Sequence, residues 1–182
     1  MGLRVERVRS SKRKKDVKQI YVDAFSKEER MPFPMMIAMS YLWNTEFLSY
    51  YDGDTLCGII YLATVGRQTF VMFFAVDEKQ RSCGYGSQIL DCVQKAYPKN
   101  KIIISIEPCC DKSTDNLEVR IRRKNFYLRN GYKETGYFMK LGTTQEIIIK
   151  NGVFSKLKFR MFFALYSFLT IHPKIWKLEG TE

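Results

Sequence analysis

The feature that most constrains this chain is a glycine-rich hexapeptide between an apolar run and a segment with helical periodicity. The hexapeptide Arg81–Gly86 (RSCGYG) follows the apolar run Thr69–Val76 (TFVMFFAV). One face of the following segment carries the apolar residues Ile89, Leu90, Val93, Ala96 and Tyr97. A glycine-rich turn between a buried strand and a helix start leaves backbone N–H groups available at the positive end of the helix dipole. The sequence therefore predicts an anion-binding loop that suits a phosphate.

Two common phosphate-binding loops are excluded by the residues that follow. A dinucleotide-binding loop needs a third glycine where this chain has Ile89. A nucleoside-triphosphate loop needs Gly-Lys-Ser/Thr, whereas Gly86 is followed here by Ser87 and Gln88. The remaining pattern, Arg-x-x-Gly-x-Gly after a strand, also occurs in plain surface turns, so its context decides the interpretation.

The context lies downstream of the loop. Ile102–Ile106 is a second buried strand, so strand, loop, helix and strand predict a βαβ unit with parallel pairing. A polar turn at Asp111–Asp115 precedes a basic helix from Asn116 to Asn130, and Gly131 occupies its C-cap position. The helix ends in NFYLRNGY (Asn125–Tyr132), in which a tyrosine comes four residues before a Gly-aromatic pair.

These two motifs, in this order and at this separation, resemble those of the GNAT superfamily of N-acetyltransferases. The resemblance spans roughly Leu3 to Lys150 and implies an α+β (mixed α/β) fold in a single domain over residues 1–182. The implied core, 3–150, is a mostly antiparallel mixed sheet of about six to seven strands flanked by helices. An extra amphipathic helix is predicted at 154–178.

The other elements of that fold are predicted from hydrophobic pattern and turn residues. Ser10 or Ser11 is predicted to cap the first helix, whose apolar face is Val17, Ile20, Tyr21, Ala24 and Phe25. The remaining predictions are strands at Leu3–Val8, Glu46–Tyr51, Thr55–Ala63, Tyr132–Leu141 and Gln145–Lys150, a hairpin turn at Asp52-Gly53-Asp54, and a Met-rich segment at Met35–Met39.

The resemblance implies acetyl-CoA as co-substrate and no metal. Backbone groups of Phe74, Ala75 and Val76 are expected to hold the pantetheine arm and the thioester carbonyl, in addition to forming a buried strand. The pyrophosphate is expected on the loop, with a charge-assisted contact from Arg81. The loop residues assigned to it are Arg81, Ser82, Cys83, Gly84, Tyr85, Gly86 and Ser87.

Tyr127 is the predicted general acid, because a tyrosine with a pKa near 10 is protonated at neutral pH and can protonate a leaving thiolate. The family pattern departs at Arg120, where an asparagine is usual; Asn116 lies one turn earlier. For the general base, Glu107 at the end of the fifth predicted strand is the first candidate and Glu29 is the second. Glu29, in the loop that borders the acceptor site in the family, is the candidate substrate contact. Either carboxylate could instead orient an ammonium group or be an idle surface charge.

Composition leaves two alternatives open. The net charge of +11, with a basic cluster over Arg4–Lys18, suits a module that binds nucleic acid or an anionic membrane. Against that module, the basic residues are not interleaved with aromatics in an RNA-binding pattern, so no specific nucleic acid is expected. A catalytically inactive GNAT fold that binds acyl-CoA is the other alternative. The acceptor is expected to be a small-molecule or peptide amine.

Compartment and assembly follow from the termini and the cysteines. The charged N-terminus does not look like a signal peptide, and five cysteines with His172 as the single histidine form neither a disulfide framework nor a metal site. A cytoplasmic enzyme is therefore expected. The apolar run within Ser155–Thr170 is shorter than the roughly 20 residues that span a bilayer. It is expected to pack on the sheet or on a partner in a homodimer, rather than on a membrane.

Overall fold

The structure is a computed structural model that describes residues 2–42, 44–109 and 116–177 of the chain. The predicted polar turn Asp111–Asp115 lies outside the described residues. The chain divides into two compact units, one made of Met1–Thr64 with Phe70–Pro98 and the other of Val65–Thr69 with Lys99–Glu182. The single domain over residues 1–182 stays a prediction.

The described residues form eight strands of one sheet and five α-helices, which agrees with the predicted α+β class and exceeds the expected six to seven strands. The strands are β1 (Arg4–Arg7), β2 (Thr45–Asp52), β3 (Thr55–Val65), β4 (Gln68–Val76), β5 (Lys101–Ile106), β6 (Lys133–Leu141), β7 (Thr143–Lys150) and β8 (Lys174–Lys177). The helices are α1 (Lys14–Ala24), α2 (Phe33–Met39), α3 (Tyr85–Ala96), α4 (Leu117–Arg129) and α5 (Lys156–Tyr166).

In the first unit the strand order is β1-β2-β3-β4, and β2 pairs antiparallel with both β1 and β3. The predicted hairpin is confirmed: Asp52 pairs with Thr55, and Gly53 at the turn has a φ of +54°, which favours glycine. The core joins α1 to the sheet through tilted and edge-on aromatic rings, whose members are Tyr21, Phe25, Phe33, Phe47, Tyr61 and Phe73.

The first helix has the predicted buried face but not the predicted start. Helix α1 begins at Lys14, and its N-cap residue Arg13 makes no side-chain capping bond. Ser11 instead accepts a hydrogen bond from the backbone N–H of Arg13 at 3.1 Å, which closes the turn before the helix. A serine two residues too early satisfies a turn rather than the helix end, so the predicted cap at Ser10 or Ser11 is wrong.

In the second unit the strand order is β5-β7-β6-β8, with antiparallel pairing throughout. Strand β8 is the element that the sequence did not predict, and it pairs with residues 137–140 of β6. The predicted C-terminal helix at 154–178 is accordingly too long, because α5 ends at Tyr166. Phe168 and Leu169 then adopt positive φ angles of 50° and 66°, which stop a right-handed helix.

Candidate functional site

The predicted anion-binding loop ends at the N-terminus of α3 in the first unit. Gly84 is the N-cap residue of α3, with a φ of +81° and no side-chain capping bond. The first intrahelical bond runs from the N–H of Gln88 to the carbonyl of Gly84. The N–H groups of the first helical turn, at Tyr85, Gly86 and Ser87, therefore have no acceptor within the helix. They form the positive end of the α3 dipole.

The loop leaves room for a ligand beside these donors. A Cβ atom built on Gly84 would meet no protein atom within 4 Å. Residues 81–84 are all exposed, and Ser82 has a φ of +64°, an uncommon conformation for a residue with a side chain. Left-handed residues next to right-handed ones turn successive N–H groups toward one side, which makes an anion-binding concavity. The donor set and the open space fit a phosphate group.

Two contacts outside the motif hold this loop in place. The hydroxyl of Tyr85 donates to the Asp52 carboxylate at 2.8 Å, which joins the start of α3 to the end of β2. This hydrogen bond raises the pKa of Tyr85 to about 12. Arg81 faces Glu78 at 3.5 Å in an exposed ion pair, so its guanidinium is available to a stronger anion. The sequence predicted Asp52 only as a turn residue and gave no sign of its hydrogen bond with Tyr85.

Gly58 allows close packing beneath the loop. A Cβ atom at this position would lie 2.6 Å from the carbonyl oxygen of Ala75 and 2.8 Å from the Cδ1 atom of Ile89. Glycine therefore lets α3 and the end of β4 approach β3 closely. The sequence analysis assigned no role to Gly58, because a glycine inside an apolar strand does not reveal which neighbour approaches it.

The end of β4 has the burial pattern of an inner strand. Ala75 is buried, while Phe74 and Val76 are partly buried. The backbone N–H of Asp77 donates to the carbonyl of Cys57 at 2.9 Å. Residues 77–80 separate this strand end from the loop, and both parts of the predicted cofactor site belong to the first unit.

Tyr127 lies in the last two turns of α4, in the second unit. Its side chain is buried and makes ring contacts with Phe126 and Tyr132 at centroid distances of 5.2 and 5.6 Å. Burial raises the pKa of Tyr127 to about 12, partly offset by the positive charge of Arg123. The predicted C-cap is confirmed, because Gly131 has a φ of +83° and the N–H of Tyr132 returns to the Tyr127 carbonyl. The hydroxyl is protonated across the physiological pH range.

Glu107, the predicted general base, is ion-paired to the same helix. Its carboxylate lies 3.3 Å from the guanidinium of Arg120 and 2.6 Å from that of Arg123. Arg120 also donates to the carbonyl of Pro108, and it occupies the position at which the family has asparagine. Glu107 is therefore held between two cations of α4 rather than left unpaired.

Glu29, the predicted substrate contact, closes its own turn. Its carboxylate accepts from the N–H of Ser26 at 2.9 Å, and its N–H donates to the Ser26 carbonyl at 3.2 Å. The same loop is held by Tyr21, whose hydroxyl accepts from the Met31 N–H at 2.8 Å. Burial of that hydroxyl raises the pKa of Tyr21 to about 12. The sequence predicted Tyr21 as a core residue only.

A charged cluster in the second unit also escaped the sequence analysis. Lys124 contacts Glu146 at 2.8 and 3.1 Å and forms an ion pair with Glu134 as well. Glu146 is buried, and burial raises its pKa although Lys124 opposes that shift. Lys124 lies one turn before Tyr127 on α4. The cluster therefore ties the helix of Tyr127 to β6 and β7.

A shallow pocket of about 200 Å³ lies elsewhere in the first unit. It adjoins Thr45 at the start of β2, whereas the loop contact with Asp52 is at the end of that strand. Two of its lining side chains, Arg7 and Glu46, form an ion pair, and Glu46 also accepts a hydrogen bond from the Tyr97 hydroxyl outside the lining. In the part of the chain that the structure describes, no group of three His, Cys, Asp or Glu side chains could hold a metal ion. No helix described here is long and apolar enough to cross a membrane.

Comparison with known proteins identifies the family. The model of the acetyltransferase (GNAT) domain matches residues 43–134, which is half of the chain. The chain therefore belongs to the GNAT acetyltransferase family, and the resemblance in the sequence is confirmed. A search of curated protein sequences found no match.

Solved structures with this fold include several acetyltransferases. A protein assigned to the GNAT family, from Bacteroides thetaiotaomicron, has a TM-score of 0.75 at 19% identity, over 92% of this chain and 99% of that one. An acetyltransferase from Bacillus subtilis in complex with CoA has a TM-score of 0.56 at 19% identity, over 83% and 99%. An aminoglycoside 6'-N-acetyltransferase complexed with coenzyme A has a TM-score of 0.62 at 15% identity, over 81% of this chain and 96% of that one. At these low identities the structural similarity shows the fold alone, which is the α+β GNAT fold predicted from the sequence.

Proposed function

We propose that this protein transfers the acetyl group of acetyl-CoA to a primary amine by direct attack in a ternary complex. The observation that carries the proposal is the loop before α3, where Gly84 leaves open space beside the N–H groups of the first helical turn. Two solved proteins with this fold are complexes with CoA. The diphosphate of a CoA thioester is the ligand that this loop suits best.

The first unit supplies the cofactor contacts in this proposal. The N–H groups of Tyr85, Gly86 and Ser87 donate to the diphosphate, and Arg81 exchanges its exposed contact with Glu78 for a phosphate oxygen. Backbone groups of Phe74–Val76 hold the pantetheine arm and the thioester carbonyl. Backbone donors held in a strand need no reorganisation as negative charge develops on that oxygen.

In the transfer step the amine nitrogen forms a bond to the thioester carbonyl carbon, and the C–S bond breaks. Tyr127 donates its hydroxyl proton toward the departing sulfur. Because its pKa is about 12 and a thiol has a pKa of about 8.5, complete ionisation of the tyrosine is uphill. Tyr127 therefore stabilises the thiolate mainly as a hydrogen-bond donor. The proton lost by the amine goes to Glu107 or to solvent.

Titration calorimetry with acetyl-CoA and with CoA, at low and at physiological salt, tests the cofactor site first. Saturable one-to-one binding at both salt concentrations is expected, followed by CoA release from acetyl-CoA in the presence of an amine panel. Binding that disappears at the higher salt would favour the basic binding module instead. Salt-resistant binding without turnover on any amine would favour an inactive acyl-CoA-binding fold.

A further inference from the structure

Helix α5 is apolar on two opposite sides. The inner side packs within the second unit and carries four buried aromatic residues, Phe159, Phe162, Phe163 and Tyr166. Their rings contact one another at centroid distances between 5.1 and 5.9 Å. The outer side carries Leu157, Met161 and Leu165, spaced by four residues and all exposed. Residues at this spacing form one continuous stripe along a helix.

The turn after α5 extends this stripe. Phe168 is 80% exposed and Leu169 is 68% exposed, and both have the positive φ angles that non-glycine residues avoid. Hydrogen bonds fix the turn: the N–H of Leu169 donates to the Ala164 carbonyl at 2.8 Å, and that of Thr170 to the Ser167 carbonyl at 3.1 Å. The backbone therefore holds two large apolar side chains in solvent at a conformational cost. Val153, before the helix, is also 80% exposed.

Cations lie on both flanks of the stripe. With about 100° per residue, Lys156 and Arg160 lie on one side of it and Lys158 on the other. All three are exposed. The sequence contains no acidic residue between Glu146 and Glu179, so no carboxylate of this segment neutralises the flanks.

We propose that this surface, defined as the exposed side chains of Val153, Leu157, Met161, Leu165, Phe168 and Leu169 with the flanking Lys156, Lys158 and Arg160, docks on an anionic lipid bilayer. An apolar stripe with cations on both flanks suits the boundary of head groups and acyl chains. A second copy of this chain is a poorer occupant, because each copy would bring the same three cations and no carboxylate of this segment to pair with them. The helix would lie in the plane of the membrane and not cross it.

The proposal is independent of the acetyltransferase activity, so its test measures binding alone. The full chain is incubated with vesicles of phosphatidylcholine, with and without about one-third phosphatidylserine, and co-sedimentation is measured. We expect binding to the anionic vesicles and little to the neutral ones. Met161→Glu with Leu165→Glu should weaken binding at least tenfold, because two charged side chains would enter the bilayer boundary.

Charge removal separates this surface from the general basicity of the chain. Replacing Lys156, Lys158 and Arg160 with Gln should weaken binding about 100-fold, since each cation near an anionic surface contributes about fivefold. The matched control replaces Lys12, Lys14 and Lys15 with Gln, which lowers the net charge by the same amount. This control should change vesicle binding less than threefold. Val22→Glu on α1 is the control for an added acid at an exposed apolar position.

Three results would overturn the proposal. The first is that the wild type does not bind anionic vesicles. The second is equal loss from both triple variants, which would indicate non-specific attraction. The third is a wild-type dimer in solution that the Met161→Glu, Leu165→Glu variant converts to a monomer, because the stripe would then be covered by a second copy.

Discussion

The loop before α3 and the C-terminal half of α4 are both assigned to the transferase site, and they are built in opposite ways. The loop is exposed and presents backbone N–H groups, with a glycine at the position where a side chain would fill the open space. Around Tyr127 the helix presents side chains, which burial, ring contacts and ion pairs hold in place. In the proposed mechanism, cofactor binding by the first region therefore depends on backbone conformation. The role proposed for the second region depends on a buried hydroxyl that donates a hydrogen bond.

The largest effect is expected from Gly84→Val, which tests the backbone half of this comparison. The φ of +81° at this position costs about 1–2 kcal/mol more for valine than for glycine. The valine side chain would also occupy the space beside the N–H donors. Loss of two charge-assisted hydrogen bonds would weaken acetyl-CoA binding by about 100-fold or more in calorimetry. Gly142→Val is the matched control, because Gly142 has a φ of +80° and equally open surroundings. Equal affinities for acetyl-CoA in the wild type and the Gly84 variant would remove the loop from the site.

Lys124→Met tests the side-chain half. Removing the cation leaves the Glu146 carboxylate buried without its main partner, which should lower the free energy of unfolding by about 3 kcal/mol. Chemical denaturation measures this loss. Adding Glu146→Gln should recover part of it, and no recovery would mean that Lys124 acts through packing alone.

The same variant has a predicted pH dependence. The pKa of Glu146 is already above its usual value because of burial, and loss of Lys124 would raise it further. A carboxyl with a raised pKa binds its proton more tightly in the folded state, so its protonation favours folding. The loss of unfolding free energy in Lys124→Met, relative to the wild type, should therefore become smaller as the pH falls through that raised pKa. A deficit that stays constant from neutral to acidic pH would contradict this account.

Tyr127→Phe is expected to lower kcat about 100-fold while the affinity for acetyl-CoA changes little, since only the hydrogen bond to the departing sulfur is removed. The pKa of about 12 also predicts that the wild-type rate profile has no descending limb near pH 10, where an ordinary tyrosine ionises. Tyr132→Phe is the control, because its buried hydroxyl has no hydrogen-bond partner among the described residues. Unchanged turnover in Tyr127→Phe would exclude the hydroxyl from the reaction.

The smallest effect is expected from Tyr85→Phe, which removes the bond to Asp52 but keeps the backbone of the loop. Because the contact is exposed, acetyl-CoA affinity should fall by less than about fivefold. Calorimetry on this variant measures how much the Tyr85 side chain contributes to acetyl-CoA binding by the loop. Asp52→Asn weakens the same hydrogen bond from the other side and should give a similar result. A loss as large as that of Gly84→Val would erase the distinction between the two regions.

Prediction from sequence succeeded where the signal is local. The strand before the loop, the glycine turn and the start of α3 follow from residues within about 20 positions of one another. The C-cap at Gly131 follows from one glycine after a helical pattern. Strand β8 was missed because Lys174–Lys177 is a short segment, and only its pairing with β6 makes it a strand.

The same division holds for the candidate site. The family, the loop and the position of Tyr127 on a helix were all predictable from the residue pattern, because they depend on glycine conformation and on helical periodicity. Three further features became visible only in the folded chain: Glu107 is paired with two arginines, Lys124 supports a buried Glu146, and the outer stripe of α5 is exposed. The physical reason is that ion pairing and burial depend on which distant segments meet, and a side chain's sequence neighbours do not specify that meeting.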